Sequence, residues 1–483
     1  MGKLVIVANR LPIKIKINKD GLDYQFSEGG LASGLRSLNH TDEMLWIGWP
    51  GVGKSEVGNK TEEVRSHLSD NSMQPIFLTK KDIKNYYEGF SNETIWPLFH
   101  YFIENTRYET EFWKTYYQVN KAFCREVLKH VEPGDTIWVH DYHLMLLPLM
   151  LRKEMPEATI GHFLHIPFPS SEVYRLLPWR EELLNGLLGA DLIGFHTSNY
   201  MRHFISSVYR LLGIESYLGR FQVGSNRFVQ ADAFPMGIDF NKFHEGSQND
   251  EIKQEAQVYR SKFGNRSLVL SIDRLDYSKG ILQRLKAFDT LLERRPAYES
   301  KISLILVVVP SRDGVDEYQQ LKEEIDEMVG YINGKYGGLD WLPIHYFYRS
   351  LSFPSLVSLY SIADIALVTP FRDGMNLIAK EFVASKTNQK GVLILSEMAG
   401  SSSELSEAII INPNDIIQMA QALEQAIDMP EDEQFRRINV MQEKLKRYNI
   451  EHWANDFIDK LQDSKIFQKG LDEKYLSKAE ANN

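Results

Sequence analysis

Short, unbroken apolar runs rich in valine and isoleucine alternate with longer stretches of helical period along almost the whole chain. A run that is apolar at consecutive positions, rather than at every second one, suits a strand covered on both faces. Strand–helix alternation of that kind builds a parallel sheet flanked by helices. The runs that qualify are Leu4–Val7, Thr136–His140, Ile160–His165, Leu192–Phe195, Leu268–Ile272, Ile302–Val309, Ile344–Tyr348, Ile365–Thr369, Val392–Ser396 and Ile409–Ile411. They are too many for one comfortable open sheet, so the expected class is α/β with two Rossmann-like, doubly wound parallel-sheet domains. The break is set around Pro235–Asp250. There a strand-like stretch ends in Phe-Pro-Met-Gly-Ile-Asp, and a polar helix from Asn249 to Phe263 precedes the fresh strand at Leu268. This predicts domains over 1–237 and 238–451, with a terminal helix over 452–483, carrying Trp453 and Phe457 on one face, packing back on the first.

Composition narrows the function classes. The 483 residues are 43% hydrophobic and 25% charged, which fits a soluble globular protein and excludes disorder and fibrous architectures. A single cysteine, Cys124, rules out an intrachain disulfide framework and a cysteine-only metal site, and suits a reducing compartment. The longest apolar stretches, Leu144–Leu151 and Ile302–Val309, fall well short of the roughly 20 residues that a bilayer requires. The N-terminal apolar run is one strand long and lacks a signal-peptide pattern. A cytoplasmic location is therefore expected, and the Asn-x-Ser/Thr matches at Asn92 and Asn265 read as chance. A net charge of −10 argues against nucleic-acid or anionic-membrane binding, but leaves room for a small phosphorylated ligand.

Open α/β sheets bind ligands beyond the carboxyl ends of their strands, so the residues at the strand exits come first. Gly48-Trp-Pro-Gly-Val-Gly53-Lys54-Ser55 satisfies the phosphate-loop pattern, but Pro50 removes an amide from the cradle and Gly58-Asn59 interrupts the helix that should follow. It reads as a turn. Gly29-Gly30, ahead of the run Leu31–Leu38, lets backbone amides approach a phosphate or sugar, or is an ordinary glycine turn. His140-Asp141-Tyr142-His143 and His162-Phe-Leu-His165 end adjacent strands. Strand residues three apart face opposite ways, so His162 and His165 are poorly placed to share a metal. Asp141 either binds sugar hydroxyls or caps a helix. Tyr86-Tyr87 and Trp96-Pro97 belong to an aromatic-rich segment that is either core or the wall of a sugar pocket.

The second half is sharper. Strand Leu268–Ile272 runs into Asp273-Arg274-Leu-Asp276-Tyr-Ser-Lys279-Gly280, where two cations straddle a tight loop in a manner suited to a diphosphate. Ile302–Val309 leads to Arg312, another cation at a strand exit. The strand at Ile365 leads through Arg372-Asp373-Gly374-Met375-Asn376 to a helix beginning near Asn376, whose N-terminus offers free amides and a positive dipole to a second phosphate. Asp373 can bind sugar hydroxyls there, and Glu381, inside the helix, a ribose diol.

These motifs, with Asn9-Arg10-Leu-Pro, Trp46-x-Gly-Trp49-Pro-Gly, His165-x-Pro-Phe-Pro and Asp373-Gly-Met-Asn-Leu-x-x-x-Glu381, resemble those of trehalose-6-phosphate synthases, in order and over nearly the whole chain. The resemblance implies the GT-B arrangement, two Rossmann-like domains facing a cleft. It also implies transfer of glucose from UDP-glucose to glucose 6-phosphate with retention, giving α,α-trehalose 6-phosphate and UDP, with no metal and no other cofactor. A sister transferase using another acceptor, such as glycerol 3-phosphate, or ADP- or GDP-glucose as donor is the alternative. Carried over residue by residue, Arg10, Tyr87, Trp96, Asp141 and Arg312 surround the acceptor, and Arg10, Tyr87 and Arg312 match the residues that hold its phosphate. Arg274 and Lys279 match the pair on the donor diphosphate. Asp373, Gly374, Met375, Asn376 and Leu377 match the donor-glucose segment, Glu381 the ribose site, and the backbone near Leu351 the uracil site. Gly29 and Gly30 join the donor set. His165 lies against the donor sugar, so that Arg274, Lys279, His165 and Asp141 form the expected catalytic set. Either Trp46 or Trp49 belongs near the acceptor. The resemblance further implies a separate phosphatase that acts on the product, with a homo-oligomer as one possibility.

Overall fold

Seventeen strands form among the described residues, and thirteen of them run parallel to a neighbour within two large sheets. They are seen in a computed structural model that describes residues 2–18, 21–26, 44–224, 226–311 and 316–481. In chain order the strands are β1 (Leu4–Arg10), β2 (Ile13–Asn18), β3 (Gly21–Phe26), β4 (Met44–Trp49), β5 (Met73–Pro75), β6 (Thr136–His140), β7 (Thr159–Leu164), β8 (Leu192–Phe195), β9 (Ser216–Tyr217), β10 (Arg220–Val223), β11 (Arg227–Ala233), β12 (Ser267–Arg274), β13 (Ile302–Val309), β14 (Ile344–Tyr348), β15 (Ile365–Val368), β16 (Val392–Ser396) and β17 (Ile409–Ile411). The chain divides into two units: Met1–Pro235 with Trp453–Asn483, and Met236–His452.

The first unit holds a nine-stranded sheet in the order β5-β4-β1-β6-β7-β8-β11-β10-β9, with β2 and β3 as a separate antiparallel hairpin. Its parallel part starts at β1, grows outward through β4 and β5, then reverses to the other side of β1 with β6. Only β10 and β9 are antiparallel. The terminal helix Ile450–Ala481 covers one face from Trp453 onward. The Phe457 ring stacks on Trp138 of β6 at 4.6 Å, Trp453 lies 5.3 Å from the same indole, and Gln462 donates to Thr136 Oγ1 at 2.8 Å. Each aromatic so buried contributes about 1.5–3 kcal/mol relative to exposure.

The second unit is a six-stranded, wholly parallel sheet in the order β14-β13-β12-β15-β16-β17. Its two-sided burial explains the unbroken apolar runs. Within β13, Leu304, Leu306 and Val308 enter one core cluster, while Ile305 and Val307 enter the cluster on the opposite face. Polar residues there would be stranded from water, so both faces must be apolar. With β12 as the first strand of the unit, the order reads 3-2-1-4-5-6, the arrangement of dinucleotide-binding sheets. Its order reverses between β12 and β15, and that of the first unit between β1 and β6. Each reversal opens a crevice at the carboxyl ends of the two strands concerned.

Candidate functional site

In the first unit the residues at the reversal are Arg10, at the end of β1, and Asp141, immediately after β6. Arg10 lies over the Trp49 ring with its guanidinium carbon 4.5 Å from the centroid. The guanidinium is accessible yet largely surrounded by protein, and this desolvation lowers its pKa, offset in part by Tyr87. Gly51 makes the arrangement possible: its φ is +89° and an added Cβ would stand 2.6 Å from the Arg10 guanidinium. Tyr87 lies edge-on to Trp49 at 5.5 Å and stacks on His143 at 5.9 Å. It is delivered by Ile83–Ile95, a thirteen-residue π-helical segment, a rare wide helix that is frequent at functional sites. Trp49, at the exit of β4, is thus the tryptophan beside Arg10 and Tyr87; Trp46 lies inside the strand, buried, paired with Ile6 and Met73. Trp96 is buried against His100, ring centroids 4.1 Å apart.

Asp141 has φ +72° and ψ 174°, a backbone region that non-glycine residues enter at a cost of about 1–3 kcal/mol and that concentrates at active sites. Its side chain does not cap the turn that follows. Instead Oδ1 accepts the His165 amide at 3.2 Å, and Oδ2 lies 4.0 Å from His143 Nδ1. His165 follows β7, and its Nε2 is hydrogen-bonded to His140 Nδ1 at 3.0 Å. Burial first, then the neighbouring histidines, push both imidazoles well below their usual pKa. Both are neutral at pH 7, so one proton is shared across this contact. His162, on β7, is wholly buried, and burial lowers its pKa to about 3. Among the described residues no cluster of histidine, cysteine and carboxylate groups is arranged to hold a metal ion.

The phosphate-loop look-alike is closed by its own residues. Glu56 accepts the Gly53 amide at 2.8 Å, filling the cradle with a carboxylate, and the helix behind it, Lys54–Val57, is four residues long. The sequon residue Asn92 is buried and accepts a hydrogen bond from the Tyr142 hydroxyl at 3.0 Å, so it cannot receive a glycan in the folded chain.

The second unit brings its predicted residues together at the β12/β15 reversal. Arg274 ends β12 and is exposed. The chain then turns through Tyr277–Lys279, held by the Asp276 carboxylate on the Ser278 amide at 2.9 Å. Gly280, at φ +66°, lets the loop press against β15: an added Cβ would meet the Thr369 carbonyl at 2.7 Å. Lys279 is buried, and its Nζ donates to Asp373 Oδ2 at 2.6 Å. Asn376 Nδ2 donates to the same oxygen at 3.0 Å. Asn376 also caps helix Leu377–Ser385, so the helix N-terminus, with Gly374 and Met375 just before it, opens beside the Lys279 ammonium. Glu381 lies on that helix and accepts from the Tyr360 hydroxyl at 2.8 Å. Burial raises its pKa, while the Tyr360 bond and Lys242 hold it down. Leu351 packs on the edge of the core. Gly29, Gly30 and Arg312 lie outside the described residues.

Tyr360 and Lys242 carry no signal in the sequence, and His143 and Gly51 appear there only within motifs, with no place in these clusters. Each is an ordinary residue type on a helix or loop, and only the folded contacts bring it to a strand exit.

The profile of Glycosyltransferase family 20 matches residues 2–463. A bifunctional trehalose-6-phosphate synthase/phosphatase of Thermoproteus tenax is 46% identical over 94% of this chain, which spans 63% of that relative's length. The UDP-forming alpha,alpha-trehalose-phosphate synthase of Candida albicans is 41% identical over 95% of this chain and 97% of its own. Among solved structures, the UDP-forming synthase of Burkholderia xenovorans in complex with glucose-6-phosphate superposes with a TM-score of 0.85 at 34% identity, covering 95% of this chain and all of that one. The E. coli protein bound with UDP-2-fluoro glucose gives 0.86 at 32%, covering 95% and 99%. Together with the paired Rossmann sheets, these findings show that the chain belongs to glycosyltransferase family 20.

Proposed function

We propose that this protein transfers glucose from UDP-glucose to glucose 6-phosphate with retention of configuration, forming α,α-trehalose 6-phosphate and UDP. One observation carries most weight. At the β12/β15 reversal a buried lysine, a carboxylate and a capped helix N-terminus converge within hydrogen-bond distance of each other. That combination suits a nucleotide sugar, with cation and amides for the diphosphate and a carboxylate for sugar hydroxyls. The Arg10–Trp49–Tyr87 group at the β1/β6 reversal suits a phosphorylated sugar, with a cation for the phosphate and ring faces for the pyranose.

In this reading Arg274, Lys279 and the helix N-terminus stabilise charge as it develops on the leaving diphosphate, a preorganised electrostatic role. The leaving phosphate oxygen takes the proton of the acceptor hydroxyl on the face it departs from, and retention follows. His165, neutral at working pH, donates or accepts a hydrogen bond to the donor sugar and does not act as a charged acid. Asp141 holds acceptor hydroxyls. The diphosphate charge is met by these groups, and the reading requires no metal. A separate phosphatase consumes the product. Among the described residues no helix is long and apolar enough to cross a membrane, and the reading places the enzyme in the cytoplasm.

The test is UDP release from UDP-glucose with and without glucose 6-phosphate, in parallel with ADP- and GDP-glucose and with glycerol 3-phosphate. Release that needs both UDP-glucose and glucose 6-phosphate supports the proposal. Faster turnover with another nucleotide sugar or acceptor overturns the substrate assignment.

A further inference from the structure

Arg284 lies in the first turn of helix Ile281–Arg294, where a cation works against the helix dipole, and it is wholly buried. Helix stability does not ask for it there, and burying a charge costs free energy that a pairing only partly returns. Its guanidinium accounts for the position. Nε donates to Thr369 Oγ1 at 2.8 Å, Nη1 to Ser271 Oγ at 2.7 Å and Nη2 to the Lys279 carbonyl at 2.5 Å. Nη2 also stands 2.6 Å from Asp273 Oδ2 in an ion pair. Ser271 and Asp273 belong to β12, Thr369 follows β15, and Lys279 closes the loop between. One planar fork therefore spans both sides of the sheet reversal. Burial pushes the Asp273 carboxyl up, and Arg284, followed by Lys279, is what holds it down.

We propose that Arg284 is the positioning residue of the diphosphate clamp: it fixes the Lys279 main chain across the β12/β15 reversal so that the ammonium meets a nucleotide diphosphate. The inference rests on the reading of Lys279 as the diphosphate cation. Arg284 itself is buried beneath the loop and acts through Lys279. Lysine cannot replace it, because a point ammonium does not reach acceptors on two strands and a loop at once.

The experiment compares wild type, Arg284→Lys and Arg284→Ala for thermal midpoint, Kd for UDP, and KM for UDP-glucose and glucose 6-phosphate. The expected result for folded Arg284→Lys is a rise of about tenfold or more in UDP Kd and donor KM, with the acceptor KM within about twofold. Added methylguanidinium should restore UDP affinity to Arg284→Ala. A purely structural arginine would lower the active fraction, and so kcat, while leaving both KM values and the UDP Kd unchanged; that result overturns the proposal. Should both variants fail to fold, Thr369→Val and Ser271→Ala each remove a single anchor. A several-fold weaker UDP affinity in these supports the role, and wild-type affinity in both overturns it. Wild-type protein that binds no UDP would instead refute the proposed function, and UDP affinity unchanged in Lys279→Ala would refute the clamp beneath this inference.

Discussion

His162 gives the chain a measurable acid sensitivity. It sits on β7 with Val139 of β6 and Ile193 of β8 as its register partners, wholly buried, and neither ring nitrogen makes a hydrogen bond of good geometry. Burial lowers its pKa to about 3, against a weak opposing pull from the Asp141 backbone. The unfolded chain takes up this proton near the ordinary value of about 6.5. Because the folded pKa is the lower one, the stabilisation is present above pH 6.5 and is lost as the pH falls toward 3. Each pH unit in that window costs about 1.4 kcal/mol, and the step from pH 7 to pH 5 costs roughly 2 kcal/mol. His162→Leu removes the titrating group and keeps a side chain of similar size on β7 between Val139 and Ile193. Replacing a buried polar group that lacks good partners in this way is close to neutral at pH 7. His140 and His165 are also buried and depressed, in part by His162 itself, so removing His162 relieves both and adds to the difference in the same direction. Thermal unfolding at pH 7 and pH 5 is the assay. At about 2–4 °C per kcal/mol for a domain of this size, wild type should lose roughly 4–8 °C more than His162→Leu between the two pH values. Parallel losses would show that His162 is protonated in the fold and that its burial has been misjudged.

Three other outcomes follow from the site. Lys279→Ala should lower kcat by at least about tenfold and, because it leaves the Asp373 carboxylate without its ammonium partner, lower the thermal midpoint by a few degrees as well, checked by steady-state assay and thermal melts. Gly51→Ala should displace the Arg10 guanidinium and raise the KM for glucose 6-phosphate by about five- to tenfold, with the donor KM within about twofold, read from two-substrate kinetics. Tyr360→Phe removes the hydrogen bond to Glu381, so UDP should bind about three- to tenfold more weakly while 2′-deoxy-UDP is unaffected, as titration calorimetry would report.

The parallel core strands were legible because two-sided burial leaves no choice of residue type. Runs such as Ile302–Val309 and Val392–Ser396 are strands over the same residues in the fold. Strands with weaker constraints escaped. Met44–Trp49 carries a glycine and two tryptophans, Met73–Pro75 is only three residues long, and β9 and β10 are short antiparallel edges. The π-helical segment Ile83–Ile95 has no matching period among those sought, since helix templates assume about 3.6 residues per turn. Strand-exit logic picked out Asp141, Lys279 and Asp373 because chemistry at those positions follows from topology. It could not choose between Trp46 and Trp49, which sit on one strand and differ only in what surrounds them. Nor could it see Arg284 or Tyr360: an arginine in a first helical turn reads as surface, and only the packing of the helix against the β12 and β15 exits buries it.

A retaining transfer between two specified sugars leaves its signature in the linkage of the product. Wild-type protein would be incubated with UDP-[13C]glucose and glucose 6-phosphate, and the product's anomeric signals read by NMR alongside UDP release. The expected product is one disaccharide phosphate per UDP, with the labelled glucose joined through two α-configured anomeric carbons. A β-configured labelled anomer, free labelled glucose as the sole product, or UDP release indifferent to glucose 6-phosphate would contradict it.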